Sequence, residues 1–338
     1  MKQKINETSF SVLQIVKKIG IILGVVAIIF LGLNFIPAKK ATDENALLEK
    51  TDILIMAEKG GYELNPANTR KAFDKVIKST SYSDIVELDV RLSKDGVLMI
   101  WEEETINSAA LKAEDELVYV SEKTAEELKK YNLGNNFVSS TGTKPYENIT
   151  SYVSQGLSMM TFEEFASRYV SSRSSVYYLV DIQEAGEAGC LAVDKAVEVL
   201  NDEDYKTFKT RVIFATPDKE VKKYVVEKYS DYMVCGEGNY IKGLATISKL
   251  GYQFLCPADY ELVRVDMVQK GLLGLNHNLA KKGFLRKVEA RNMVAIYNNI
   301  TSEEDVKTLY EIGAHVIGTP NPEAVENVIK KLDKEADK

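Results

Sequence analysis

Carboxylates gather where short apolar runs of this chain end. Glu58 and Lys59 follow the run 53–57, Glu87 and Asp89 sit inside 84–92, Glu102 follows 97–101, and Asp181 lies near the end of 177–182. Glu87 and Asp89 are two residues apart, so in a strand their side chains share one face. If that face points into a protein interior, the pair needs a partner, because a bare buried carboxylate is costly. A hard divalent ion, Ca²⁺ or Mg²⁺, takes oxygen ligands of this kind; the plainer alternative is that both carboxylates are solvated at a rim. A carboxyl crowded by others has a raised pKa and can act as an acid near neutral pH. Two carboxyl groups flanking a bond are also the equipment of glycosidases. Lys59 reads either as a rim charge or as a contact for an anionic ligand.

Positioning these residues calls for repeated strand–helix units. Strands are expected at 53–57, 84–92, 97–101, 177–182, 211–215, 232–235, 252–256, 294–297 and 315–319. Helical patterns fall between them at 68–78, 187–200, 219–229, 241–250, 279–290, 302–312 and 323–332. About eight such alternations within residues 53–335 predict an α/β fold, a (β/α)8 TIM barrel, whose active site forms at the C-terminal ends of the strands. Lys94-Asp95-Gly96 reads as a hairpin-like turn. Residues 106–159 break the rhythm as an insertion longer than a barrel loop needs.

The N-terminus carries a different signal. Residues 19–36 hold no charge and only Asn34 as a polar side chain, and this length makes about 27 Å of helix, enough to cross a bilayer. Lys2, Lys4, Lys17 and Lys18 precede it against one acid, Glu7, which places residues 1–18 in the cytoplasm and the barrel outside the cell membrane, although Lys39 and Lys40 weaken the bias. A cleaved signal peptide is the rival reading. Residues 37–52 form a short polar stem. The net charge of −7 gives no footprint for nucleic acid. Cys190, Cys235 and Cys256 are odd in number and widely spaced, which suits buried thiols better than disulfides or a metal cluster.

Two stretches carry a resemblance. Ala57-Glu58-Lys59-Gly60-Gly61 with Asn65-Pro66-Ala67-Asn68-Thr69, then Val86 to Gly96 (VELDVRLSKDG) with Trp101-Glu102-Glu103-Glu104-Thr105, are similar in order and spacing to the glycerophosphodiester phosphodiesterase family. Its members read roughly A-H-R-G-G, P-E-N-T, E-L-D-V-R-L-T-K-D-G and F-H-D-E-T. The resemblance implies metal ligands at Glu87 and Asp89, with Asp181 in place of a third, glutamate, ligand. It also implies substrates such as glycerophosphodiesters, cleaved to glycerol 3-phosphate and an alcohol, or glycerol-phosphate polymers. The departures sit where protons move. The family's two histidines are Glu58 and Glu102, its arginine is Lys59, the glutamate of P-E-N-T is Ala67, and a later lysine is Gln183. His315 starts a strand, at the wrong end of the barrel to substitute, and His277 lies in a loop whose position the sequence leaves open. The expectation is a membrane-anchored, catalytically impaired barrel binding a divalent cation or a phospho-ligand. The alternatives are an active enzyme with Glu58 and Glu102 as acid and base, and glycosidase-like chemistry. Trp101 and Tyr297, at strand ends, are expected in core packing or lining the pocket.

Overall fold

The computed structural model describes residues 2–33, 35–78, 83–112, 114–171, 175–272 and 274–336. Eleven strands are present among them: β1 (Leu54–Ala57), β2 (Ile85–Leu92), β3 (Leu98–Ile100), β4 (Tyr177–Ile182), β5 (Val212–Ala215), β6 (Met233–Gly236), β7 (Leu262–Val265), β8 (Val268–Lys270), β9 (Asn276–Asn278), β10 (Val294–Tyr297) and β11 (Val316–Thr319). Eight of them, β1, β2, β4, β5, β6, β7, β10 and β11, pair in parallel. β1 bonds both β2 and β11, which closes the barrel. β3 runs antiparallel to the end of β2 across the Lys94–Gly96 turn, where Gly96 has φ of +73°. β8 and β9 form a separate hairpin.

The alternation of side chains explains how one barrel is both oily and acidic. Toward the helices, Val86, Leu88, Val90, Tyr178, Val180 and Ile182 join one apolar cluster. Toward the lumen, Leu54, Met56, Ile85, Leu179, Ile213, Ala215, Cys235, Leu262, Val294, Ile296 and Val316 fill the floor. Stepping two residues further up each strand leads from that floor to a polar layer at the C-terminal ends.

Residues 41–48 lie against the barrel floor. Leu47 joins the lumen cluster, the Asn45 amide donates to the carbonyls of Glu261 and Asn292 (3.0 Å each), and the Ala41 N–H donates to the Arg291 carbonyl at 2.8 Å. Before it runs the helix Lys2–Leu33, within which Gln14–Leu33 is long and apolar enough to cross a membrane by length and composition, a test that a signal sequence also passes. The helix stops short of residue 36 because Pro37 cannot continue it, and Phe35 and Ile36 donate in turn-like bonds to Gly32 and Leu33; Asn34 lies outside the described residues.

One strand lies elsewhere than expected. Residues 252–256 form a turn and the short 3₁₀ segment Gln253–Leu255, and the barrel strand is Leu262–Val265. The insertion 106–159 has a small core of its own, in which Ile106, Val120, Leu128, Leu133 and Met159 pack on Met99 and Trp101. Its helix Ala125–Leu128 begins with a capping box between Thr124 and Glu127. The three cysteines are free; Cys235 and Cys256 are buried and Cys190 is half-buried.

Candidate active site

The polar layer follows from the same two-residue step. Glu58 continues Met56, Glu87 and Asp89 continue Ile85, Asp181 and Gln183 continue Leu179, Glu237 continues Cys235, Arg264 continues Leu262, and Asn298 continues Ile296. All of them, with Lys59, Tyr62, Glu102, Pro217 and Asn299, line one cavity of 290 Å³ at the C-terminal mouth of the barrel. The structure thus brings together every candidate residue expected from the sequence. It adds Glu237, Arg264, Asn298 and Asn299. A larger groove of 930 Å³, between Arg70, Lys129, Tyr152 and Arg168, lies outside the barrel and contains none of these residues.

Tight local backbone sets the first corner. Lys59, Gly60 and Gly61 all have positive φ (51°, 77° and 82°), a conformation glycine adopts freely and lysine at a cost. The turn buries Glu58, whose Oε1 accepts from the Asn299 N–H at 2.8 Å while Oε2 has no partner. Gly318 leaves the room for it, since a Cβ there would come within 3.0 Å of Oε1. Burial pushes the Glu58 carboxyl above its ordinary range, against the Asn299 bond and the charges of Arg264 and Lys59. Lys59 Nζ pairs with Glu102 Oε2 at 2.5 Å. Although burial works against its charge, that partner holds Lys59 above the usual lysine value. Arg91 fixes the Glu102 segment by donating from Nε and Nη2 to the Glu102 carbonyl (3.1 and 2.7 Å).

Asp89 is held by two amides. Asn68 Nδ2 donates to its Oδ2 at 2.8 Å, and Gln183 Nε2 to its Oδ1 at 2.9 Å. Asn68 also takes a positive φ, 56°, and accepts from the Asp89 N–H at 3.3 Å. Burial, together with the charges of Glu87 and Asp181, still raises Asp89 well above its usual value.

Glu87 and Asp181 meet a cation instead. The Arg264 guanidinium places Nη2 3.1 Å from Glu87 Oε1 and Nη1 2.9 Å from Asp181 Oδ2, with Glu237 Oε2 at 3.6 Å. Burial raises Glu87 to about 7, opposed by Arg264 and reinforced by Asp181 and Glu58. Burial also raises Glu237, with Arg264 again opposing. Burial works against the charge of Arg264, but the surrounding carboxylates hold it firmly protonated.

Ligand atoms of Glu87, Asp89 and Asp181 lie within 4.8 Å of one another, so the expected acidic cluster is present. In donor chemistry it suits a hard cation. In this arrangement, however, two of the three carboxylates are engaged by a guanidinium and the third by two amides, so the residues as they stand do not fit a divalent ion.

The remaining expectations separate clearly. His315 is at the opposite end of the barrel, where Nδ1 accepts from the Ala295 N–H and Nε2 meets Glu289. His277 is buried in β9, away from the cavity. Tyr297 is core, its hydroxyl bonded to the Leu279 carbonyl. Trp101 is buried and forms one wall of an adjoining cavity of 270 Å³, which shares Lys59, Tyr62 and Glu102 with the first and is completed by Leu133, Asn136 and Phe137 of the insertion. The two-residue step up each lumen face is the signal that would have found Glu237 and Asn298. Arg264 required the strand itself to be placed.

Comparison with known proteins agrees with this architecture. The glycerophosphoryl diester phosphodiesterase domain of a Mycobacterium tuberculosis protein superposes with a TM-score of 0.63 at 16% identity, covering 82% of this chain and 98% of that one. A glycerophosphodiester phosphodiesterase from Agrobacterium tumefaciens gives 0.57 at 11% identity, covering 80% and 97%. An Oleispira antarctica phosphodiesterase, solved in complex with the product sn-glycerol-3-phosphate, gives 0.59 at 15% identity, covering 84% and 99%. No protein of curated function matches the sequence. The model of the glycerophosphoryl diester phosphodiesterase family matches residues 59–324. By that match, the chain belongs to the glycerophosphoryl diester phosphodiesterase family.

Proposed function

We propose that this chain is a membrane-anchored, catalytically impaired family member, a pseudoenzyme that holds a glycerol-phosphate group, free or as part of a polymer. One observation carries the reading: neither proton-moving position holds a histidine, Glu58 being a buried carboxylate with one oxygen bonded by the Asn299 N–H and Glu102 a carboxylate paired with Lys59. General acid–base catalysis needs a group free to exchange a proton with the reacting oxygens. No histidine lines the cavity among the described residues. A glycerol-phosphate ligand is supported by the product held in the Oleispira antarctica phosphodiesterase, by Lys59 and Arg264 as cations for the phosphate, and by a wall of carboxylates that accept from hydroxyls.

In this reading Gln14–Leu33 is the anchor, the residues before it are cytoplasmic, and the barrel is extracellular. Because residues 41–48 are bonded to the barrel floor, the anchor joins the molecule at the end opposite the cavity. The mouth then faces away from the bilayer, toward a ligand arriving through water.

The test uses the full chain in detergent with a glycerophosphodiester, with and without Ca²⁺ or Mg²⁺, following release of glycerol 3-phosphate beside Glu87→Ala. The expected result is no release, together with a rise in melting temperature on adding glycerol 3-phosphate. Metal-dependent release that disappears in Glu87→Ala overturns the reading. The raised pKa of Glu58 favours one rival, a working phosphodiesterase with a carboxyl acid; its pH–rate profile would follow carboxyl groups, and Glu102→Gln would abolish turnover.

A further inference from the structure

The cavity contains one cation that family resemblance does not anticipate. Arg264 rises from β7 into the layer of Glu87 and Asp181, and the registers of the strands put it there: Leu262 is part of the floor, and Arg264 is the next residue on the same face. Its nitrogens stand 3.1 Å from Glu87, 2.9 Å from Asp181 and 3.6 Å from Glu237. A divalent ion on these oxygens would need ligand distances of about 2.0–2.6 Å in the space the guanidinium fills. Two like charges in one enclosed site repel strongly. The third carboxylate is equally committed, with Asn68 and Gln183 presenting N–H groups to its two oxygens.

We propose that Arg264 is a built-in replacement for the divalent ion, so that the carboxylates of this barrel are neutralised by the chain itself and the site takes no metal. An arginine suits the role because it stays charged at any physiological pH and its planar fork reaches two carboxylates at once. The substitution also changes what the site offers a ligand. A metal ion neutralises a phosphate by direct coordination; a guanidinium does so by hydrogen bonds, and Arg264 Nε is without a hydrogen-bond partner, while Nη2 faces Glu87 as an ion pair. This last point rests on the glycerol-phosphate reading above; exclusion of metal does not.

The test is Mn²⁺ binding, followed by electron paramagnetic resonance on the full chain in detergent, for wild type, Arg264→Gln and Arg264→Lys. Wild type and Arg264→Lys, which keeps a cation in place, are expected to leave Mn²⁺ free in solution. Arg264→Gln is expected to bind it at least about tenfold more tightly. Stoichiometric binding to wild type that is lost in Asp181→Asn overturns the proposal, as does a folded Arg264→Gln that binds no better than wild type. If Arg264→Gln does not fold, the wild-type and Asp181→Asn titrations alone decide. A parallel titration of wild type with glycerol 3-phosphate in excess chelator separates the two readings. Failure of that ligand to bind with or without metal counts against the proposed function and leaves the Mn²⁺ result standing.

Discussion

On β1, β2 and β4 the barrel rim carries Glu58, Glu87, Asp89 and Asp181, all acidic, each at a position that family motifs mark. On β6, β7 and β10 it carries Glu237, Arg264 and Asn298, which no motif marks. The first half presents the oxygen donors of a cation site. The second half supplies the cation, and it comes from the chain. Keeping a ligand set is therefore different from keeping its ligand: in this proposal matching carboxylates serve a metal or a guanidinium according to what the facing strands provide. The same division applies to the proposed loss of proton transfer: by resemblance the first half has carboxylates at the family's histidine positions, and the second half bonds one oxygen of Glu58 through the Asn299 N–H.

The most severe way to break this comparison is to remove the second half's charge. Arg264→Leu leaves Glu87 and Asp181 buried without their partner and is expected to cost about 3–5 kcal/mol in urea unfolding; a loss below about 1 kcal/mol would mean that the two halves are not coupled. Within the first half, Asn68→Ala removes the amide from Asp89 and is expected to cost about 1–3 kcal/mol, with Arg264 still paired. A larger loss than in Arg264→Leu would reverse the ranking of the halves.

A pH profile sharpens the contrast further. The folded-state pKa of Glu87, about 7, lies above its ordinary value of 4.5. The protonated form is thus favoured in the folded state, and this group's contribution is fully present below pH 4.5 and lost as pH rises through about 7. Glu87→Gln should flatten the fall of melting temperature across that interval; parallel wild-type and variant curves would contradict the assignment. The smallest effect is expected at the half-exposed edge of the cavity. Glu102→Gln weakens a pair in which Glu102 is 41% exposed, and such pairs contribute under about 1 kcal/mol.

How much of this was legible in the sequence follows the same division. The barrel and its β1, β2 and β4 tips were readable because neighbouring residues spell them: Glu87 and Asp89 share a face by spacing alone, and Glu58 follows an apolar run directly, whereas Asp181 joined the acidic cluster only through the family resemblance. Arg264 was hidden by a competing signal. Residues 252–256 are more apolar than Glu261 to Asp266 and read as the strand, yet Leu255 is 60% exposed and the segment turns instead. A strand with arginine in its lumen face is stable only because Asp181, 83 residues earlier, and Glu87 receive that charge. Local pattern does not carry such long-range compensation. The role of residues 41–48 was obscured in the same way, since Asn45 looks like a solvated stem residue until the floor carbonyls of Glu261 and Asn292 are placed beside it.

The most direct test of the central claim is anomalous diffraction from crystals of the protein grown with Mn²⁺. The account predicts no anomalous peak among Glu87, Asp89 and Asp181, with the Arg264 guanidinium lying between Glu87 and Asp181. A peak bonded to those three carboxylates, with Arg264 turned out of the cavity, would contradict it.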